Sequence, residues 1–279
     1  MRRAVAPSTR SAYEQAGWEL GAFRVLRGLE DIWPIPIDHL LEYCVSLHHK
    51  GLAVGTLRAK LAGLAFEAKI NGFPDTTTDF RVRKMLEGWA RSNPPVQDKR
   101  KPITPEMLLG LLRQWAKLCS SNYEQCLFHA TALVTFFFFF LISEVVAASK
   151  ADKAGRCLMW DDLQFEDNGI RLRLRKSKTD QAGRGAWVAL APASREELCP
   201  IAAMRSYLKL QGNQQGFLFQ HANGSPLTKY QFWAVASKAL QAMGLGEYQF
   251  GTHSFRIGAA STAAAAGIGE TRIKTIGRW

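Results

Sequence analysis

The chain has 279 residues, 47% of them hydrophobic, which is enough for one large core or two modest ones and excludes a disordered or fibrous polypeptide. A formal charge of +12 favours a polyanionic partner, because Lys and Arg that neutralise phosphates release counterions. The five cysteines (Cys44, Cys119, Cys126, Cys157, Cys199) show no CxxC pairing, which argues against a disulfide framework or zinc site and for a reducing compartment. Arg2 and Arg3 lead into mixed polar residues rather than an apolar run, so no signal peptide is expected and the protein reads as intracellular.

In chain order, Ser11 and Glu14 have capping-box spacing, and Tyr13, Leu20, Phe23 and Leu26 continue at near-helical spacing to Gly28. A second helix is expected from Asp38 as N-cap, through Leu40, Leu41, Val45 and Leu47, to Gly51. A third starts at Thr56 and stops at Asn71-Gly72. A fourth follows Asp79, turns Phe80, Met85, Leu86 and Trp89 inward, and ends before Pro94-Pro95. These four helices make a first domain over residues 1–93.

Residues 94–104 are proline-rich and basic, with Lys99, Arg100 and Lys101, and read as a linker. It is either a solvated tether or a strap across a DNA backbone between two lobes that clamp a duplex. A second domain, 105–279, opens with Thr104 capping and Pro105 at the first helical position. The apolar run from Ala130 to Ile142 is too short for a bilayer, which needs roughly 18 to 20 residues, and reads as a buried helix. The period then changes to two. Ile170, Leu172 and Leu174 alternate with Arg171, Arg173 and Arg175, a half-buried strand with an arginine face. Ala186 to Leu190 completes a hairpin, and Met159 to Phe165 is a third strand candidate. Helices resume after Ser194, at Thr228 with a capping box to Gln231, and at Thr252. The expected fold class is mainly α with a small antiparallel β-sheet, an α+β chain.

Two constellations could carry chemistry. His253 and Arg256 form an H-x-x-R pair at a helix start, where i, i+3 spacing shares a face and the helix N-terminus favours an anion. A lone H-x-x-R is common, and a surface cation pair is its bland reading. Lys176 and Lys178, in Arg175 to Asp180, could reach into a groove or donate a proton, or could be a solvated basic turn.

The order of these features resembles the tyrosine recombinase (phage-integrase) family: helical domain, basic linker, apolar helix ending in I-S-E, hairpin with K-x-K-T, H-x-x-R, and a closing I-G-R-W. It is more similar to the recombinases of eukaryotic mobile elements, and Gly251 to Ile268 is the most specific stretch. The resemblance implies a SAM-like core-binding domain followed by a catalytic domain, processes of DNA recombination and DNA integration, and a nuclear protein. The implied partner is double-stranded DNA, with self-association on it and neither membrane nor small-molecule substrate. No metal or nucleotide cofactor is implied.

By the resemblance, Arg256 is a phosphate-binding arginine and His253 its partner, Lys178 fits the hairpin general acid better than Lys176, and Glu144 helps hold the site. Spacing puts Arg278 in the family's His/Trp slot, whereas residue type favours Trp279. Lys99, Arg100, Lys101, Arg175 and Lys176 are the remaining DNA-contact candidates. Fixed guanidinium charge is worth most as the pentavalent phosphorus forms.

Two departures set the expectation for activity. Leu141 stands where the family has its first arginine, leaving Glu144 without that neighbour, and losing such an arginine costs roughly 10³ to 10⁵ in rate. The family's nucleophilic tyrosine is expected about nine or ten residues past Gly277. None of the six tyrosines follows the H-x-x-R pair, and Tyr248 just before it fits a packing role. The expectation is therefore a DNA-binding chain, truncated before the nucleophile and catalytically inactive as written. The alternatives are an active site-specific strand transferase when the full C-terminus is present, and a helical scaffold that binds no DNA.

Overall fold

The computed structural model describes all residues except 1–3, 93–98, 153–156, 176–179, 181–183, 194, 213–214 and 279. The chain divides into two compact units, Met1–Asp98 and Lys99–Trp279.

Among the described residues the first unit has four α-helices, α1 (Pro7–Arg27), α2 (Ile37–His49), α3 (Val54–Ile70) and α4 (Phe80–Ser92). The start of α1 differs from the Ser11 expectation because Pro7 sits in its first turn, where a fixed φ and a missing N–H cost nothing. Pro36 likewise precedes α2, so Asp38 lies in the first turn rather than at the cap. Leu20, Leu40, Cys44, Leu57, Leu64, Val82 and Leu86 form the core. Leu26 and Phe80 do not join it. They are 81% and 62% exposed, and Val82 takes the inward place on α4. Arg24 is buried, and its guanidinium bonds Asp31 Oδ1 at 2.5 Å and the Ile32 carbonyl at 3.0 Å, which fixes the chain between α1 and α2.

The second unit opens with α5 (Pro105–Leu118), α6 (Asn122–Phe137) and the single turn α7 (Ile142–Val145). Then come β1 (Leu163–Glu166), β2 (Gly169–Leu174) and β3 (Ala186–Leu190), followed by α8 (Pro200–Leu210), α9 (Lys229–Ala242), α10 (Ser254–Ala265) and α11 (Glu270–Gly277). The strands form one antiparallel sheet in the order β1-β2-β3, with Leu172 opposite both Leu163 and Val188. The fold is therefore mainly α with one small antiparallel sheet. On β2, Ile170, Leu172 and Leu174 are buried while Arg173 is exposed, the alternation that a one-sided sheet imposes. The third strand is shorter than its sequence suggested, because Trp160–Asp162 wind into a 3-10 turn capped by Asp162 Oδ2 on the Met159 N–H at 2.9 Å.

The apolar run from Ala130 to Ile142 is core. Phe128, Phe136, Phe138 and Phe140 are almost fully buried, and Trp115, Phe232 and Phe255 pack in the same cluster. Among the described residues, no helix is long and apolar enough to cross a membrane. On α6, the His129 Nε2–H donates to the Leu112 carbonyl at 2.9 Å, and burial holds its pKa below the ordinary value while that bond works the other way. The unfolded chain therefore takes up this proton first as pH falls. His129's contribution to stability is complete above about 6.5 and is lost as pH drops through the folded value. Urea melts across that interval should show a stability loss that His129→Gln flattens; an unchanged slope would contradict this.

Candidate phosphate-binding site

The site begins at the α10 N-terminus. Ser254 closes a tight turn, with its N–H on the Gly251 carbonyl at 2.8 Å and its Oγ accepting from the Gly251 N–H at 3.0 Å. His253 precedes the helix and is exposed, whereas Arg256, one turn on, is 9% exposed. The shared-face expectation thus yields one exposed side chain, His253, and one buried cation, Arg256.

The basic stretch expected to be a linker is partly something else. Lys99–Thr104 belong to the second unit, because the Lys101 N–H bonds the Gln249 carbonyl at 2.8 Å and the Ile103 N–H bonds the Ser254 carbonyl at 3.0 Å. Ile103 is fully buried, and Gly258 makes this possible: a Cβ there would lie 1.8 Å from the Ile103 carbonyl oxygen. Lys99, Arg100 and Lys101 are exposed on this docked segment, whose backbone is held to Gln249 and Ser254 on either side of His253. Tyr248 lies 5.9 Å from the Lys101 ammonium and is a cation-π partner for it.

The opposite wall comes from the end of α6. The Phe140 N–H reaches back to the Thr135 carbonyl at 3.0 Å across Phe139, whose φ of 55° is left-handed, and this reversal places Leu141 and α7. Glu144 on α7 is buried, and its Oε2 accepts from the Leu141 N–H at 2.7 Å. Glu144 is not left alone. Arg278, directly after α11, brings its Nη2 to 3.5 Å from Glu144 Oε2 and donates to the Phe139 carbonyl at 3.2 Å. Its guanidinium also lies 4.8 Å from the Phe140 ring centroid. Arg256 Nη2 donates to the Gly277 carbonyl, so the two arginines approach each other from successive helices. Burial lowers the pKa of both and Glu144 raises it; each lies too far above neutrality to lose its charge.

The comparisons with known proteins bear on this arrangement. No family profile matches the chain. A curated integrase/recombinase XerD homolog of Selenomonas ruminantium is 28% identical over 113 residues, 38% of this chain and 33% of that protein. The match thus spans about a third of that relative's length. Likeness to solved structures extends over nearly all of the chain. XerH site-specific recombinase in its post-cleavage complex with palindromic difH superposes with a TM-score of 0.68 at 14% identity, over 99% of this chain and 74% of that one. The Tn1549 transposon integrase with circular intermediate DNA gives 0.62 at 17% identity, over 99% and 87%. A lambda integrase dimer on a COC′ core site gives 0.59 at 16% identity, over 98% and 88%. The chain has the tyrosine-recombinase fold.

Within the tyrosine-recombinase fold, Leu141 is half-buried beside Glu144 and offers phosphate no donor. Lys176, Lys178 and Trp279 lie outside the described residues. Arg175, expected as a DNA contact, has its Nε held by both oxygens of buried Asp162 at 2.7 Å, which ties the end of β2 to the core. Sequence reasoning missed Asp162, because an acid in a W-D-D string gives no sign of facing inward. It placed Arg278 near the site but missed its contacts with Phe139 and Glu144.

Proposed function

We propose that this chain binds duplex DNA by its phosphate backbone and serves DNA recombination or integration, with strand transfer suppressed by Leu141 in the first-arginine position. The observation that carries the reading is the buried Arg256 at the α10 N-terminus, with Arg278 and Glu144 adjoining and three exposed basic residues on the segment docked against Gln249 and Ser254. Guanidinium forks suit phosphate oxygens, and the helix N-terminus adds a favourable field. XerH, Tn1549 integrase and lambda integrase, which share the fold, are each described in complex with DNA. Self-association on DNA belongs to the same reading, since the lambda integrase on its core site is a dimer.

Titrating a labelled duplex at several salt concentrations tests the reading. Log affinity should fall steeply and linearly with log salt, by about 0.9 for each phosphate contact. A flat dependence would return the chain to the scaffold alternative. In the same assay, replacing Lys99, Arg100 and Lys101 together with alanine should weaken binding to all sequences about equally and reduce the slope. A loss confined to one sequence would show base contacts instead.

A further inference from the structure

Phe139 and Arg278, with φ of 55° and 59°, are the non-glycine residues in the left-handed region among those described. They bond each other, Arg278 Nη2 to the Phe139 carbonyl at 3.2 Å. Side chains rarely adopt this conformation, and where it persists the surroundings hold it, most often at functional sites. Both left-handed residues meet in this one contact, which sets a guanidinium over the Phe140 ring and 3.5 Å from Glu144, the acid that accepts from the Leu141 N–H.

Arg278 also carries unspent hydrogen-bonding capacity. Its Nη1 donates to the Ile276 carbonyl at 3.0 Å and its Nη2 to Phe139, but its buried Nε has no partner among the described residues. A buried N–H without an acceptor leaves a donor that an incoming acceptor can take. The charges agree. Two guanidinium groups, the buried Arg256 and the largely buried Arg278, adjoin one described carboxylate, Glu144, whose Oε2 also serves the Leu141 N–H. Arg278 is 12% exposed at its side chain, close to the 9% of Arg256, so both lie at similar depth and open slightly to solvent.

We propose that Arg278 and Arg256 together seat a single phosphodiester of DNA, with Arg278 supplying from the α11 end the cation that position 141 lacks. This rests on the DNA-binding reading and adds to it a specific pair of donors. Arg278 does more here than cap α11: its charge stands in for one expected on a different element.

Affinity for a labelled mixed-sequence duplex, measured across a salt series, tests the pair in the full chain. Arg278→Gly removes the guanidinium while glycine satisfies the left-handed backbone, so the fold should persist and affinity should fall about 10- to 100-fold. The salt slope should shrink by about 0.9, one phosphate. Leu141→Arg introduced into that variant should recover most of both losses, which a merely structural role for Arg278 would not allow. Should the glycine variant melt below the parent, Arg278→Lys serves instead, keeping the charge but losing the fork, with binding several-fold weaker than the parent. The proposal is overturned if the folded Arg278 variants bind like the parent, or if Leu141→Arg restores nothing. Absence of salt-dependent binding in the unaltered chain would instead bring down the DNA reading itself.

Discussion

Arg256→Ala should weaken duplex binding by roughly 10- to 150-fold, the range for a hydrogen bond to a charged group. Arg256 is held by α10 and by the Gly277 carbonyl, so its guanidinium arrives ordered and loses little freedom when phosphate binds. Arg256→Lys should recover only part of the loss, because an ammonium matches one phosphate oxygen where the fork matches two. Removing Arg256 also strips a donor from the Gly277 carbonyl, so some destabilisation accompanies the change. Thermal melts on the same samples separate the terms: a loss of affinity well below the melting transition is a site effect. Unchanged affinity in folded Arg256→Ala would remove Arg256 from the DNA surface.

Much of this arrangement was legible in the sequence because it depends on local chemistry. The alternation of Ile170, Leu172 and Leu174 with arginines dictated β2, and Thr228 with Gln231 announced the start of α9 through a capping box that the structure shows complete. H-x-x-R located the α10 N-terminus. What could not be read were consequences of packing between distant segments. Leu26 and Phe80 have the right spacing for the first core, yet Val82 fills the place that Phe80 was given. Residues 99–104 carry linker composition, and their docking depends on a glycine more than 150 positions away. Glu144 looked abandoned beside Leu141 because its partner, Arg278, comes from the other end of the unit.

That glycine allows the sharpest test of the architecture. Gly258→Ala should improve α10 by intrinsic propensity, worth about 1 kcal/mol. Opposing it, the new Cβ would lie 1.8 Å from the Ile103 oxygen and 2.7 Å from its carbonyl carbon, well inside contact distance, and the atoms met are backbone that cannot rotate aside. The segment must lift away, stretching the Ile103 N–H bond to Ser254 and opening a fully buried side chain. Overpacking of this kind costs about 1–3 kcal/mol, and a lost hydrogen bond roughly 1 more, so destabilisation wins. For a unit of this size the melting temperature should drop by roughly 2–4 °C for each kcal/mol lost. Gly17→Ala on α1, where a Cβ meets nothing within 4 Å, should move the other way and raise stability by about 0.5–1 kcal/mol. Because Lys99, Arg100 and Lys101 ride on the displaced segment, Gly258→Ala should also weaken DNA binding while Gly17→Ala leaves it alone. Equal and opposite melting shifts with identical affinities would mean that the segment's docking contributes to the fold but not to the DNA surface.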